Sequence, residues 1–124
     1  MSKRDLIETY IGFYNTFNID EMVNMFTDDC TFENVSGSAV TYKSKGKEEL
    51  RNISSKSVAY FKERKQVVTN WVIDDHKAAV EIEYHAVLAS DLPNGLKKGT
   101  ALKLKGVSFY EFEDDKIKRL VDYS

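Results

Sequence analysis

The sequence predicts one α+β domain in which helices cover one face of an antiparallel sheet. The first half of the chain carries apolar residues at steps of three and four, which is the helical period. The second half alternates with a period of two in four runs, at residues 66–73, 78–90, 100–112 and 117–123. Short turns join these runs, so neighbouring strands must be antiparallel. Helices followed by strands place the helices on one sheet face, and the length suits a single domain over 1–124.

Three helices are predicted. The first has one apolar and aromatic face and ends near Asn18. The second is shorter and begins at Asp20, whose side chain suits an N-cap position. The third runs from Lys47 to about Phe61 with the same helical period. The stripe of the first helix consists of Leu6, Tyr10, Phe13, Tyr14 and Phe17.

The segment between the second and third helices is predicted to hold one short strand and a loop. The strand covers Cys30 to Val35, and the loop opens at Ser36 and contains Gly46. Polar tetrapeptides at 74–77 and 113–116 are typical of tight turns between the later strands.

The strand at 100–112 has two different faces. The more apolar face is predicted to lie against the helices. Gly106 and Ser108 leave room among its large neighbours, which indicates a cavity rather than solid packing. The alternative is that Ser108 only bonds to a neighbouring strand or helix. This face consists of Leu102, Leu104, Gly106, Ser108, Tyr110 and Phe112.

The opposite face of the predicted sheet is not cleanly polar. Val107 and Phe109 lie on it, and residues 66–73 are apolar on both faces. A sheet with two apolar faces needs cover on both sides, and the helices supply only one. We therefore expect a homodimer formed through the outer sheet face.

Composition excludes several classes of partner. The formal net charge is −2 with a pI near 5.7, and acids are interspersed among the lysines, so nucleic acid is not expected. No apolar run approaches the roughly 20 residues of a membrane-spanning helix. Cys30 is the only cysteine, which fits a reducing, cytoplasmic compartment without an internal disulfide.

No cofactor or metal is expected. His76 lies in a turn and His85 in a strand, and no His, Cys or Asp spacing matches a known metal site. The glycines are too scattered for a phosphate-binding loop, and Cys30 lacks a partner at the spacing of a nucleophile motif.

Two blocks of the chain resemble a known superfamily. Tyr10 to Val35 reads YIGFYNTFNIDEMVNMFTDDCTFENV, which is similar to the helix–helix–strand opening of ketosteroid isomerases. The ending from Gly106, GVSFYEFEDDKIKRLVDYS, resembles the last hairpin of SnoaL-like polyketide cyclases and other nuclear transport factor 2-like proteins. The resemblance implies a cone-shaped roll in which three N-terminal helices pack on a curved antiparallel sheet and enclose one pocket.

The resemblance also implies roles for single residues. Tyr10 matches the oxyanion-donating tyrosine of ketosteroid isomerases, and Ser108 is the nearest match to their protonated aspartate. Asn34 stands where they keep the general-base aspartate. An amide cannot accept and carry a proton at pH 7, so the familiar isomerisation route is disfavoured. SnoaL-like cyclases take an acid–base aspartate from near the C-terminal end, which makes Asp122 the alternative base. It would otherwise be a solvated residue near the C-terminus.

Other residues complete the predicted site. Glu83 and His85 share a strand face that alternation directs outward, and they would form an acid–base pair if that face turned inward. The aromatic load suits a pocket with hydroxyl handles, or an ordinary aromatic core. With Tyr10, Asn34 and Asp122 as catalytic candidates, the expected lining consists of Tyr14, Phe17, Phe26, Trp71, Leu104, Ser108 and Tyr110.

Three functions remain open at this point. The leading one is a site for a flat, apolar, oxygen-bearing ligand with cofactor-free proton transfer beside a carbonyl, as in isomerisation, cyclisation or dehydration. The second is a binding module without catalysis, which the amide at Asn34 favours. The third is an oligomeric scaffold with a vestigial pocket.

Overall fold

The computed structural model describes all residues, Met1–Ser124. They form three helices and six strands, which turns and loops connect. The helices and one sheet face enclose the core. None of the three helices has the length and apolar character of a membrane-spanning segment. In chain order the elements are α1 (Lys3–Asn15), α2 (Ile19–Asn24), β1 (Phe26–Ser36), β2 (Ala39–Lys45), α3 (Gly46–Val58), β3 (Phe61–Ile73), β4 (Lys77–Leu88), β5 (Ala101–Glu113) and β6 (Lys116–Tyr123).

Helix α1 has a defined start and a defined end. Ser2 is the N-cap, and its Oγ accepts a hydrogen bond of 3.0 Å from the backbone N–H of Asp5. The chain leaves the helix through Phe17, which has a left-handed φ of 60°. The buried stripe that holds α1 on the sheet consists of Leu6, Ile7, Tyr10 and Ile11.

The predicted loop after Ser36 is wrong, because residues 39–45 form strand β2. Gly37 and Ser38 have φ values of 56° and 67°, the pattern of a type I′ turn, and β2 folds back antiparallel on β1. This strand lies at the sheet edge with six of its seven residues exposed. It therefore shows no alternation of apolar and polar residues that would have predicted a strand.

The prediction of a wholly antiparallel sheet is wrong for one pair of strands. Its strand order is β2-β1-β6-β5-β4-β3, and β1 runs parallel to β6 while the other four pairs are antiparallel. Short turns dictate direction only for strands that are consecutive in the chain. Between β1 and β6 the chain passes through a helix and four strands, so no local signal set their relative direction.

Strand β3 begins earlier than the predicted residue 66. Helix α3 ends at Val58, and Phe61, predicted to close that helix, instead opens the strand and pairs with Leu88 of β4. Apolar residues between α3 and β3 fit the helical period, so the sequence pattern did not indicate where the helix ends and the strand begins. The early start matters because it places Arg64 within the sheet.

Candidate functional site

A cavity of about 310 Å³ opens between the inner face of the sheet, α1 and α3. The inner face is the one covered by the helices. Most of the lining side chains are apolar, and hydroxyl, amide, carboxyl, guanidinium and ammonium groups lie among them. A mostly apolar concavity with a few converging polar groups is typical of small-molecule sites.

The register of the sheet places three polar side chains side by side on the cavity wall. Ser108 of β5 pairs with Asp122 of β6, and Asp122 pairs with Asn34 of β1. The Oγ of Ser108 donates a hydrogen bond of 2.6 Å to Oδ1 of Asp122. The parallel pairing of β1 with β6 is what brings Asn34 beside this carboxyl.

The carboxyl of Asp122 is electrostatically perturbed. Loss of hydration raises its pKa from 3.8 to about 6, and the hydrogen bond from Ser108 lowers the pKa and so limits the rise. No neighbouring cation contributes to this shift. A carboxyl with a pKa near 6 exchanges protons readily around neutral pH, as a general acid or base must.

Asn34 is held by the strand beside it. Its Nδ2 donates to Oγ1 of Thr41 at 2.8 Å, and that hydroxyl donates to the Asn34 carbonyl at 3.1 Å. Thr41 is the extra residue of a β-bulge, since the partners of β1 step from Tyr42 to Val40 there. The amide is therefore positioned to orient a bound molecule, but it cannot carry a proton.

Tyrosine hydroxyls form a second polar group in the cavity. The hydroxyl of Tyr14 donates to that of Tyr84 over 3.0 Å, whereas the hydroxyl of Tyr10 has no partner in the chain. Burial, with smaller contributions from neighbouring groups, raises the pKa of Tyr10 and of Tyr14 well above the ordinary value of 10.0. Burial and then the charge of Asp122 raise the pKa of Tyr42 to about 12. These side chains therefore stay protonated, and the hydroxyl of Tyr10 can donate a hydrogen bond to a bound molecule, whereas that of Tyr14 already donates to Tyr84.

Arg64 and Gln66 bring further polar groups to the lining, and sequence reasoning missed both. They are buried, at 5% and 8% exposure, and lie two residues apart on the inner face of β3. The signal that would have found them is alternation, because they continue the inward series of Val68. Arg64 was hidden because the strand was predicted to begin at residue 66.

The predicted site residues divide into two groups. Six line the cavity: Tyr10, Asn34 and Asp122 among the catalytic candidates, and Tyr14, Leu104 and Ser108 among the lining candidates. Four others, Phe17, Phe26, Trp71 and Tyr110, do not line it.

The four aromatic residues outside the lining pack elsewhere. Phe26 and Tyr110 are 1% and 0% exposed and lie against Tyr10 in the core, with ring centroids at 5.7 and 6.0 Å. Trp71 stacks under the guanidinium of Arg4, and Phe17 packs on Arg64. A helical stripe identifies the buried side of α1, but it does not separate core residues from cavity residues.

Residues on β2, β4 and α3 complete the lining. Tyr42 went unrecognised because its strand was predicted to be a loop, and Tyr84 follows Ile82 on the inner face of β4. Glu83 and His85 lie on the outer face, where His85 Nε2 is 3.7 Å from Glu83 Oε2. That pair does not reach this cavity.

Close packing, as well as cavity space, explains why residue 106 is a glycine. A Cβ at this position would overlap the backbone carbonyl of Tyr123, which passes close to β5. The sequence interpretation assigned the small side chain to cavity space, and the cavity is indeed lined here. The close approach of β6 is the stronger constraint, and it fixes the backbone next to Asp122.

No group of three or more His, Cys, Asp or Glu side chains is arranged to hold a metal ion. Cys30 is 1% exposed, and burial raises the pKa of its thiol. The side-chain groups that line the cavity are the carboxyl of Asp122, several hydroxyls, two amides, the guanidinium of Arg64 and the ammonium of Lys105.

The fold and site agree with one family. The SnoaL-like domain profile matches residues 7–120, and the chain belongs to this family. The resemblance stated from the two sequence blocks is thereby confirmed. No curated protein sequence matches the chain.

Solved structures extend the comparison to the fold. A candidate polyketide cyclase from Xanthomonas campestris pv. campestris superposes with a TM-score of 0.83 at 16% identity, over 98% of this chain and 88% of that one. A candidate polyketide cyclase from Pseudomonas putida KT2440 gives 0.80 at 17% identity, over 100% and 92%. A Catenulispora acidiphila protein of ketosteroid isomerase-like fold, in complex with trimethylamine, gives 0.80 at 13% identity, over 99% and 87%. At these identities the likeness establishes the nuclear transport factor 2-like α+β fold.

Proposed function

We propose that this protein binds a small, mostly apolar, oxygen-bearing molecule in the cavity and moves a proton beside its carbonyl group. The observation that carries the proposal is Asp122, a carboxyl on an apolar cavity wall with a pKa of about 6. The helices and the sheet would shield part of the bound molecule from water. The reaction would need no cofactor, and isomerisation, cyclisation and dehydration all begin with such a step.

The residues would divide the work as follows. At neutral pH most Asp122 side chains are ionised, and the carboxylate would take a proton from the carbon next to the carbonyl. The electron pair left by the broken C–H bond would move onto the carbonyl oxygen, and the free hydroxyl of Tyr10 would donate to it. Asn34 would orient the molecule, and Asp122 would return the proton to a different atom.

Binding and proton transfer can be tested separately. A thermal-shift screen of flat carbonyl and phenolic compounds would identify binders, because a ligand at 100 times its Kd stabilises the fold by about 2.7 kcal/mol. The probe 2-tetralone then reports proton transfer through exchange of its α-hydrogens in deuterated water, followed by NMR. We expect Asp122→Asn to slow protein-dependent exchange by about 100-fold while binding persists. Unchanged exchange in this variant would remove the catalytic proposal.

The second candidate is a ligand-binding module without catalysis. It is favoured by Asn34, an amide in the position where ketosteroid isomerases keep their base, and held by Thr41. Under this reading, compounds raise the melting temperature but no probe exchanges faster with protein than without it. Asp122→Asn would then alter affinity alone.

We also propose a homodimer through the outer sheet face. Val67, Val72 and Val107 are exposed there at 37%, 70% and 38%. Acidic and basic side chains alternate beside them, since Glu83 pairs with Lys105 across β4 and β5. A two-fold copy of the same face would match these charges. Light scattering should show a dimer that Val72→Glu dissociates, whereas Val40→Glu on the β2 edge leaves it intact. A wild-type monomer would contradict this.

A further inference from the structure

Arg64 carries a buried positive charge that nothing in the chain neutralises. Arg64 is only 5% exposed, and it takes part in none of the ion pairs of the structure. Burying a charge without an opposite charge is unfavourable, and proteins ordinarily pair such groups. The exception identifies a place where a missing partner would bind.

The guanidinium is held in a fixed position. Its Nε donates a hydrogen bond of 3.1 Å to the carbonyl of Tyr14, near the C-terminal end of α1. Its carbon atom Cζ lies 3.7 Å from the ring centroid of Tyr14 and 4.8 Å from that of Phe17. Stacking on aromatic rings and a bond to a helix C-terminus stabilise a cation. They account for the position of Arg64 but not for its whole hydrogen-bonding capacity.

One end of the guanidinium remains without a partner. The Nη2 atom is buried and makes no hydrogen bond, although Arg64 lines the cavity. Oε1 of Gln66, two residues further along the same strand face, is also buried and unpartnered. Unsatisfied buried polar atoms are rare in folded proteins. Arg64 and Gln66 both line the cavity, so this part of the β3 wall is a polar end of it.

Asp122 does not supply the missing negative charge. No cation contributes to its pKa shift, and it is not within ion-pair distance of Arg64. Its carboxyl is instead bonded to Ser108 on the β5–β6 part of the wall, while Arg64 projects from β3 at the sheet edge. The carboxyl of Asp122 and the guanidinium of Arg64 therefore lie on different parts of the cavity wall, and Lys105 of β5 also lines the cavity.

We propose that the molecule bound in the cavity is an acid whose carboxylate-type oxygen is held by the guanidinium of Arg64. This inference rests on the proposed ligand-binding function and adds the chemical class of the ligand. A charge-assisted hydrogen bond from a fixed guanidinium is among the stronger polar interactions in proteins. The apolar body of the ligand extends from Arg64 towards Asp122, which repels the anionic end and so sets the orientation.

A pair of matched probes tests the proposal. The compounds are 2-naphthoate and 2-naphthamide, which share a flat ring system and differ in charge, and their affinities are measured by calorimetry at neutral pH. We expect wild-type protein to bind 2-naphthoate about tenfold more tightly or better. Arg64→Met should abolish this preference while retaining affinity for 2-naphthamide. Arg51→Met, which removes an exposed guanidinium from α3, is the matched control and should leave the preference unchanged.

The outcomes distinguish the acid assignment from the existence of the ligand site. Equal wild-type affinities for both probes would overturn the acid assignment while leaving the ligand site standing. Absence of binding by either probe would count against both proposals. A preference for 2-naphthoate that survives in Arg64→Met would overturn the role of Arg64. If Arg64→Met does not fold, Arg64→Gln is used in its place. The preference of the wild-type protein between the two probes tests the acid assignment without any variant.

Discussion

Ser108 and Asp122 face each other across β5 and β6, and the Ser108 hydroxyl donates a 2.6 Å hydrogen bond to the Asp122 carboxyl. This bond opposes the effect of burial on the acid. Burial makes the proton hard to lose, and the hydroxyl stabilises the ionised form. The pair therefore sets the pKa on which the proposed chemistry depends.

Removing the hydroxyl should raise the pKa of Asp122 above its present value of about 6. In Ser108→Ala the carboxylate loses its donor while burial remains, so the protonated form is favoured further. Carbon-detected NMR titration of the Asp122 side chain measures the change directly. Ser57→Ala is the control, because Ser57 also lines the cavity but donates to the Ser54 carbonyl instead. A fall in the pKa would show that the Ser108 bond stabilises the protonated acid.

Replacing Asp122 should stabilise the protein at neutral pH. The folded-state pKa of about 6 lies above the ordinary 3.8, so the folded protein binds more protons than the unfolded chain between these values. Stability therefore falls as the pH rises through that window, and above it the ionised Asp122 costs at most about 3 kcal/mol. Asp122→Asn should recover part of this cost at pH 7 and none below about pH 4, as measured by urea unfolding. A variant less stable than wild type at pH 7 would contradict the assignment.

Gly106 should not tolerate a methyl group. A Cβ would overlap the Tyr123 carbonyl, so Gly106→Ala should displace the end of β6 and cost about 2 kcal/mol of unfolding free energy. Gly12→Ala is the matched control, since no atom lies within 4 Å of its Cβ position in α1, and it should stabilise by up to about 1 kcal/mol. Equal effects of the two substitutions in urea unfolding would exclude the steric explanation.

Asn15 joins the end of α1 to the edge of the sheet. Its Oδ1 accepts from the Gln66 N–H at 2.8 Å, and its Nδ2 donates to the Gln66 carbonyl at 3.3 Å. Asn15→Ala leaves both backbone groups of this buried residue without partners and should cost about 2 kcal/mol. Asn70→Ala loses only an exposed bond to Glu81 and should change stability by less than about 0.5 kcal/mol. A near-neutral Asn15→Ala would mean that water replaces the amide.

Local patterns in the sequence were informative wherever the structure repeats over neighbouring residues. The helical stripe of α1 and the alternation of β4 identified the faces that are buried, including the outward direction of Glu83 and His85. The same patterns failed at β2, whose exposed residues carry no periodic signal, and at the start of β3. Periodicity reports burial, so elements with little burial contrast escape it.

The sequence by itself determined the α+β class, the family and the inward face of the central strands, because these follow from short-range spacing and from two recognisable blocks. Only the tertiary structure decided that β1 runs parallel to β6, which places Asn34 beside Asp122. It also decided that Arg64 is buried without a counter-charge. Strand pairing and loss of hydration depend on segments distant in the chain, and no local pattern encodes how much water a side chain keeps.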